Sequence, residues 1–330
     1  MNILIVGLGS IGQRHLRNIK LIKPNANFYT LREKNKNYII KNQLIFKKKD
    51  ILKHYKIKKV TYNDLKRLKI DASFICNPSS FHMKHAIYFL KKNSHIFVEK
   101  PLGGSITDLK KLVKLNKKYK RVISIGYQFR FHPLIKFTKN LLNERKFGKI
   151  ISAKFNNLSF LPHYHKYEDY RKGYAAKKKL GGSVIDTLMH EVDLIAYFFG
   201  VPDKITKKEN KTGILKSDVN DVLEGMFLYD YEKDFNVNIS LSLSSAIKKR
   251  NFKILFKKVL LKCDLIKNKI ELVSNFNGKT LKKINYKKDI NNFYIEEVKN
   301  FFNNFKKKFP GFNTLEKNLN TETLYHKLKS

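Results

Sequence analysis

Asn2-Ile3-Leu4-Ile5-Val6 is the first regular pattern in the chain, a run of aliphatic side chains without polar alternation. A strand buried on both faces reads this way, and such strands belong to parallel sheets. A glycine turn follows, then a helix over residues 11–22. Residues 26–31 predict a second strand, and residues 72–76 another that stops at Asn77-Pro78. A helix over 81–92 leads into a strand at 95–98, and Val122-Ile123-Ser124-Ile125-Gly126 closes the series. Residues 39–49 and 64–68 read as helical or turn segments between shorter strands. Strand–helix–strand alternation over the first ~120 residues predicts a doubly wound parallel sheet.

Further on, the texture changes. A helix over 133–143 precedes long strands at 150–158, 222–229, 235–244, 252–264 and 269–273. Alternation such as Val237, Ile239, Leu241 and Leu243 marks half-buried antiparallel strands. Helices at 184–199 and 291–307 accompany them, and a polar tail follows. At 330 residues the chain exceeds the usual size of a single core. The expected architecture is α/β. A Rossmann domain over residues 1–123 carries the doubly wound parallel sheet. An α+β domain over residues 124–330 carries an open, mainly antiparallel sheet with helices on one face.

Composition narrows the classes of function. No apolar run reaches the ~20 residues that a membrane span needs, so no membrane partner is expected. The first residues lack a basic n-region and read as a strand, not a signal peptide. Two cysteines, Cys76 and Cys263, are too few for a disulfide framework and lack metal-ligand spacing. They fit a reducing cytoplasm and no metal site. The formal charge of +42 would attract polyanions. Its lysines are spread over nearly every predicted helix and turn, however, with no basic block interleaved with aromatics. The charge reads as a chain-wide bias, and no specific nucleic-acid partner is expected. Arginine, by contrast, is sparse, and Arg14, Arg17, Arg32, Arg130 and Arg171 all lie in or beside motifs.

Gly7-Leu8-Gly9-Ser10-Ile11-Gly12 is G-x-G-x-x-G, set after a strand and opening a helix. In that context it predicts a dinucleotide site. Gly7 permits the tight turn, Gly9 lets a pyrophosphate approach the backbone, and Gly12 allows close helix–sheet packing. The phosphates belong at the helix N-terminus, where free N–H groups and the dipole favour anions. The ribose position falls near Leu31-Arg32-Glu33. Arg32 suits a 2′-phosphate or stacks on adenine, whereas Glu33 stands one place late for the acid that would favour NAD. NAD and NADP both stay open, with a slight lean to NADP.

Glu99-Lys100-Pro101 follows a strand end that would face the cofactor crevice, where a desolvated lysine can bond a reacting oxygen. Alone, the tripeptide also reads as a solvated turn. The run from Leu180 to Asp193 is denser in chemistry. On one continuous helix, Asp186 and His190 are four apart and share a face. A carboxylate there can orient the imidazole and raise its basicity. A histidine merely satisfied by its neighbour is the competing reading. His163, Tyr164, His165, Tyr167, Tyr170, Arg171 and Tyr174 form an aromatic, polar loop just upstream. It reads equally as a sugar-stacking wall or as ordinary packing.

In order and spacing, these elements resemble the Gfo/Idh/MocA family, named for glucose–fructose oxidoreductase and inositol dehydrogenase. The resemblance runs from Gly7 through His15, then Asn77-Pro78 with His82, Glu99-Lys100-Pro101, Gly126-Tyr127 with Arg130 and Pro133, and the Asp186/His190 helix closing at Gly200. It implies an enzyme that moves hydride between a sugar, sugar acid or nucleotide-sugar carbinol and NAD(P). It implies Lys100, His190 and Asp186 as catalytic residues. Gly7, Gly9, Ser10, Ile11, Gly12, Arg32, Asn77, Pro78, His82, Glu99 and Lys100 would hold the cofactor. Arg130, Tyr170, Arg171, Asp186 and His190 would hold the substrate, the arginines pairing with an anion on it. Asp169-Tyr170-Arg171 with Tyr174-Ala175-Ala176 resembles a subgroup tied to surface-polysaccharide sugars. A dimer or tetramer is expected on the same resemblance. Leu180 departs from the family, which commonly has a third glycine there. The main alternative is a non-catalytic NAD(P)-binding regulatory protein, and residues after about Thr280 show no usable motif.

Overall fold

The computed structural model describes residues 1–32, 38–41, 44–48, 50–165, 167–230, 234–287, 289–306 and 311–330. The first sheet contains β1 (Asn2–Val6), β2 (Asn27–Leu31), β5 (Lys58–Lys59), β6 (Ala72–Ile75), β7 (His95–Val98) and β8 (Ile123–Ile125). Its order is β5-β2-β1-β6-β7-β8, with every neighbouring pair parallel. Helices α1 (Ser10–Ile22), α4 (His82–Lys91) and α5 (Ile106–Tyr119) make the crossovers. The order of connection reverses between β1 and β6, so the crevice of a doubly wound sheet opens at Gly7 and Asn77.

The described residues of 39–49 do not form the helical or turn segment expected. β3 (Tyr38–Lys41) and β4 (Leu44–Lys48) pair as an antiparallel hairpin. Ile39 and Ile40 are both buried. Their run is too short for a helix and rich in β-branched side chains, which favours strand. Side chains of α1 hold its backbone: Gln13 Oε1 accepts from Ile40 N at 2.9 Å, and Arg17 donates to Ile40 O at 3.0 Å. Two short helices follow, α2 (Ile51–Tyr55) and α3 (Asp64–Arg67).

The second sheet has eight strands: β9 (Ile150–Phe160), β10 (Lys204–Asn210), β11 (Val222–Tyr229), β12 (Phe235–Ser242), β13 (Ser244–Phe256), β14 (Val259–Asp264), β15 (Lys269–Ser274) and β16 (Thr280–Asn285). The order is β10-β11-β12-β9-β13-β14-β15-β16; β12 and β9 run parallel and the other pairs antiparallel. The single long strand expected over 252–264 is thus two, split by a turn at 257–258. β10 and β16 have sequences too polar to stand out from loops.

The remaining helices are α6 (Pro133–Glu144), α7 (Val184–Thr187), α8 (Met189–Phe199), α9 (Asn291–Asn303) and α10 (Leu319–Lys329). The helix expected over 184–199 is broken at Leu188, whose backbone (φ −100°, ψ 27°) separates α7 from α8. α9 returns to the first sheet, where Val298, Phe301 and Phe302 pack with Ile3, Phe74 and Phe97. The chain after it is no polar tail. Leu315 N donates to Ile123 O at 2.7 Å, and α10 buries Leu324, Tyr325 and Leu328. Cys76 and Cys263 are both buried and free. Among the described residues, no helix is long and apolar enough to cross a membrane.

Candidate active site

The glycine loop has the geometry that its sequence predicts. Gly7 sits at φ +88°, and a Cβ on it would press on the Asn77 backbone at 3.1 Å. A Cβ on Gly12 would overlap the Gly7 carbonyl oxygen. Gly9 is different: nothing lies within 4 Å of the position its Cβ would take. The opening is aimed along α1, a 13-residue helix whose N-terminus has no side-chain cap and no acidic residue in its first turn. Uncapped N–H groups facing open space suit an anion such as a pyrophosphate. Across the opening, Asn77 Oδ1 is buried without a hydrogen-bond partner. The residues present therefore fit a dinucleotide.

Not every residue expected to touch the cofactor is free to do so. His82 sends Nδ1 to Pro101 O and Nε2 to Asn77 O, each at 2.7 Å, so it braces two crevice loops against each other. Glu99 points beneath α1, where its Oε1 lies 2.7 Å from His15 Nε2. Both assignments are corrected: these side chains support the crevice and do not line it. Arg32, at the end of β2, is half-buried; burial lowers its pKa and the nearby Asp50 charge opposes this. Glu33 lies outside the described residues.

At the mouth of the crevice, Lys100 leaves the end of β7 and donates Nζ to the carbonyls of Asp186 (3.3 Å) and Thr187 (3.0 Å). Those are the last residues of α7. His190 stands at the start of α8, buried to 8% exposure, with its ring 5.0 Å from Phe129. Gln128 Nε2 lies 3.1 Å from His190 Nε2 and donates to Tyr294 OH at 3.0 Å. His190 Nδ1 is buried with no partner among the described residues, and so is Thr187 Oγ1. Burial, then the positive charges of Lys100 and Arg250, hold the imidazole pKa well below its usual value. The ring is therefore neutral at neutral pH, as a base must be. Burial also lowers the Lys100 pKa, against the pull of Glu99.

Asp186 does not orient His190. Tyr325 OH donates to its Oδ1 at 2.6 Å, Lys329 Nζ lies 2.8 Å from its Oδ2, and Ser183 Oγ donates to that same oxygen. The break at Leu188 removes the helical register that would have set Asp186 beside His190. Arg130 is also spent. It is 2% exposed, and its fork is taken by Asp193 (Nε at 3.0 Å), Asn318 and Thr321. Removing one partner of so buried a pair costs about 3–5 kcal/mol, so its role is structural. Arg171 is exposed and paired with Asp169 at 2.8 Å, and Tyr170 OH accepts from Lys216 N at 3.1 Å. Neither makes a contact that ties it to His190. Tyr167 of the same loop hydrogen-bonds Ser10 of the glycine loop and packs its ring 6.3 Å from Tyr38. The turn at Leu180 stays tight without a third glycine, since Gly181 at φ +85° packs on Ser79.

Sequence reasoning missed Gln128, Tyr294, Arg250, Glu191, Tyr325 and Lys329. Gln128 stood beside a motif that was noted; Tyr294, Tyr325 and Lys329 reach the site only because the C-terminal chain folds back.

Residues 1–127 match the profile of an oxidoreductase family with an NAD-binding Rossmann fold, GFO_IDH_MocA. Over this region the chain is similar to the Gfo/Idh/MocA family. A myo-inositol 2-dehydrogenase of Thermotoga maritima is 24% identical over 200 residues, 61% of this chain and 55% of that protein. The match thus spans about half the length of this curated relative. Among solved structures, levoglucosan dehydrogenase with NADH aligns at a TM-score of 0.81 and 13% identity, over 100% of this chain and 98% of the other. A UDP-N-acetylglucosamine 3-dehydrogenase from Acidithiobacillus ferrooxidans aligns at 0.76 and 16% identity, over 99% and 96%. The two-sheet fold is the one these two solved dehydrogenase structures share.

Proposed function

We propose that the chain is an NAD(P)-dependent oxidoreductase acting on a carbinol of a sugar, sugar acid or nucleotide sugar. One observation carries this reading. Lys100 and His190, ninety residues apart, meet at the α7–α8 junction beside the crevice. Lys100 is anchored on the last carbonyls of α7, and His190 presents an unpartnered ring nitrogen one turn later. The relatives named as inositol and sugar dehydrogenases support the substrate class.

When bound, a dinucleotide would supply the hydride acceptor or donor, and this chain supplies the geometry. Lys100 donates a hydrogen bond to the reacting oxygen and stabilises the negative charge that develops there. His190 takes the hydroxyl proton, a transfer worth roughly 10²–10⁴-fold. The two ends of an amide are interchangeable in shape. With its oxygen turned to His190 Nε2–H, Gln128 leaves Nδ1 as the lone pair, and Tyr294 O–H can donate to that same oxygen. Asp186 acts through its backbone by receiving Lys100, while its carboxylate ties down α10. The Tyr167 loop would cover the cofactor's phosphates. The same reading assigns the enzyme to surface-polysaccharide sugar metabolism, as a cytoplasmic dimer or tetramer with a lean to NADP through Arg32.

The test titrates the protein with NADH and NADPH by fluorescence, then follows reduced nicotinamide across a panel of sugars and sugar acids. Turnover on a sugar is expected, with orders-of-magnitude losses in both Lys100→Ala and His190→Ala. Their losses should not add, because both groups act on one transition state. Cofactor binding with no turnover on any sugar would favour a regulatory protein instead.

A further inference from the structure

The core face of the second sheet changes character along β9 and β13. Ala153 pairs with Ile254 and Phe155 with Phe252, an apolar ladder. At the next step on the same face, Asn157 pairs with Arg250. This polar row lies beneath α8, which lowers Glu191 onto it. Glu191 accepts from Asn157 Nδ2 at 2.8 Å and from Arg250 Nε at 2.6 Å. An apolar core gains nothing by ending in an arginine, and the cost of desolvating one calls for a reason.

Arg250 is held rigidly and left unfinished. Its guanidinium lies 4.1 Å over the Phe129 ring, and His190 packs on that same ring at 5.0 Å. Those two distances keep the guanidinium carbon within about 9 Å of the imidazole centroid. Arg130 and Lys329 spend their donors on protein oxygens, and Lys100 spends two of its three there. Arg250 gives Glu191 only Nε, and with 22% of its side chain exposed, both terminal nitrogens lack a hydrogen bond among the described residues. A planar fork held at one edge presents its other edge for bidentate pairing with an oxyanion.

We propose that Arg250 recognises an anion on the sugar, a carboxylate or a phosphate, at the side of the ring away from the carbon that reacts. This rests on the reading of the Lys100–His190 site as a sugar dehydrogenase. It replaces Arg130 and Arg171, whose forks are occupied. Glu191 sets the guanidinium plane, and Phe129 fixes its height above the sheet. Lys100 lies close enough to Arg250 for the two positive charges to act on each other.

The experiment compares glucose, glucuronate and glucose 6-phosphate, with cofactor binding measured separately by NADH and NADPH fluorescence. The readout is the ratio of kcat/KM for each anionic sugar over the neutral one, which a general loss of activity does not change. Calorimetric titration of each sugar into the protein gives a second readout independent of turnover. The wild type is expected to favour one anionic sugar at least tenfold, and which one identifies carboxylate or phosphate. Arg250→Lys keeps the charge but loses the fork, and should cut that ratio about tenfold. Arg250→Gln with Glu191→Gln removes the charges together, avoids a buried unpaired carboxylate, and should bring the ratio near one. Equal use of neutral and anionic sugars by the wild type, or a preference that survives the double variant, overturns the proposal. Anionic sugars that neither bind nor react overturn it too. If neither cofactor binds, the dehydrogenase reading itself fails, and this arm shows that independently.

Discussion

The glycine loop allows binding and folding to be separated by substitution. At Gly9 the backbone is ordinary (φ −71°, ψ −169°), and the space beyond the missing Cβ is empty. A Cβ there meets no protein atom within 4 Å, so Gly9→Val should fold with its melting temperature little changed. What the two methyl groups fill is the approach to the uncapped N-terminus of α1. A pyrophosphate pushed back from that turn loses charge-assisted hydrogen bonds worth about 1.5–3 kcal/mol each. Losing even one weakens affinity roughly 10- to 100-fold. Gly12→Ala is the contrast. Its Cβ would overlap the Gly7 carbonyl, so α1 must move off β1, and stability should fall whether or not cofactor is present. Fluorescence titration with NADH and NADPH, beside thermal unfolding of both variants, reads the two effects apart. Wild-type cofactor affinity in a folded Gly9→Val protein would refute the site.

Three further expectations follow from individual contacts. Gln128→Glu should raise the His190 pKa by setting a carboxylate at Nε2, moving the acidic limb of the kcat–pH profile upward; Gln128→Leu should cost roughly tenfold in turnover through the lost hydrogen bond, and unchanged profiles in both would remove Gln128 from the site. Arg32→Ala should weaken NADPH tenfold or more relative to NADH if the guanidinium holds the 2′-phosphate; equal losses would indicate adenine stacking. His132 caps α6 by accepting from Leu134 N at 3.1 Å, and burial lowers its pKa to about 4. The native state thus binds fewer protons than the unfolded chain between pH 4 and the ordinary imidazole pKa of about 6.5. This stability is fully present above that range and is lost as the pH falls through it, at most about 3 kcal/mol. Urea midpoints at pH 7 and pH 5 should converge in His132→Asn, and a wild-type slope in that variant would exclude the assignment.

What could be read in advance was what local physics decides. A β-branched run, a glycine turn and an uncapped helix are neighbours in sequence, so the first sheet and its crevice were legible from Asn2 to Gly12. Motif context also singled out Lys100 and His190, which the fold brings to the α7–α8 junction. What failed depended on register or on distant chain. The spacing of Asp186 and His190 implies a shared face only while the helix is continuous, and Leu188 breaks it. Four residues on one helix then become two helices whose side chains diverge, and Asp186 goes to Tyr325 and Lys329 of α10 instead. Arg130 looked like an anion fork because Asp193 lies 63 residues later, and Asn318 and Thr321 farther still. Sequence separation hides the partners that exhaust a donor.

Arg250 shows the converse. Read along β13 it is one cation among many, with Lys248 and Lys249 just before it. Only pairing with Asn157, across a strand ninety residues away, places it on the core face, where Lys249 faces out. The lysine bias that made charge uninformative along the chain becomes informative once burial is known, because a solvated lysine needs no partner and a half-buried arginine does. In this fold the chemistry therefore tracks the cations drawn inward. Lys100, Arg130, Arg250 and Lys329 each reach inward from the charge-rich surface. Arg130 and Lys329 end on carboxylates and hold the architecture; Lys100 and Arg250 keep donors unspent among the described residues, and they are the pair to which substrate recognition should be most sensitive.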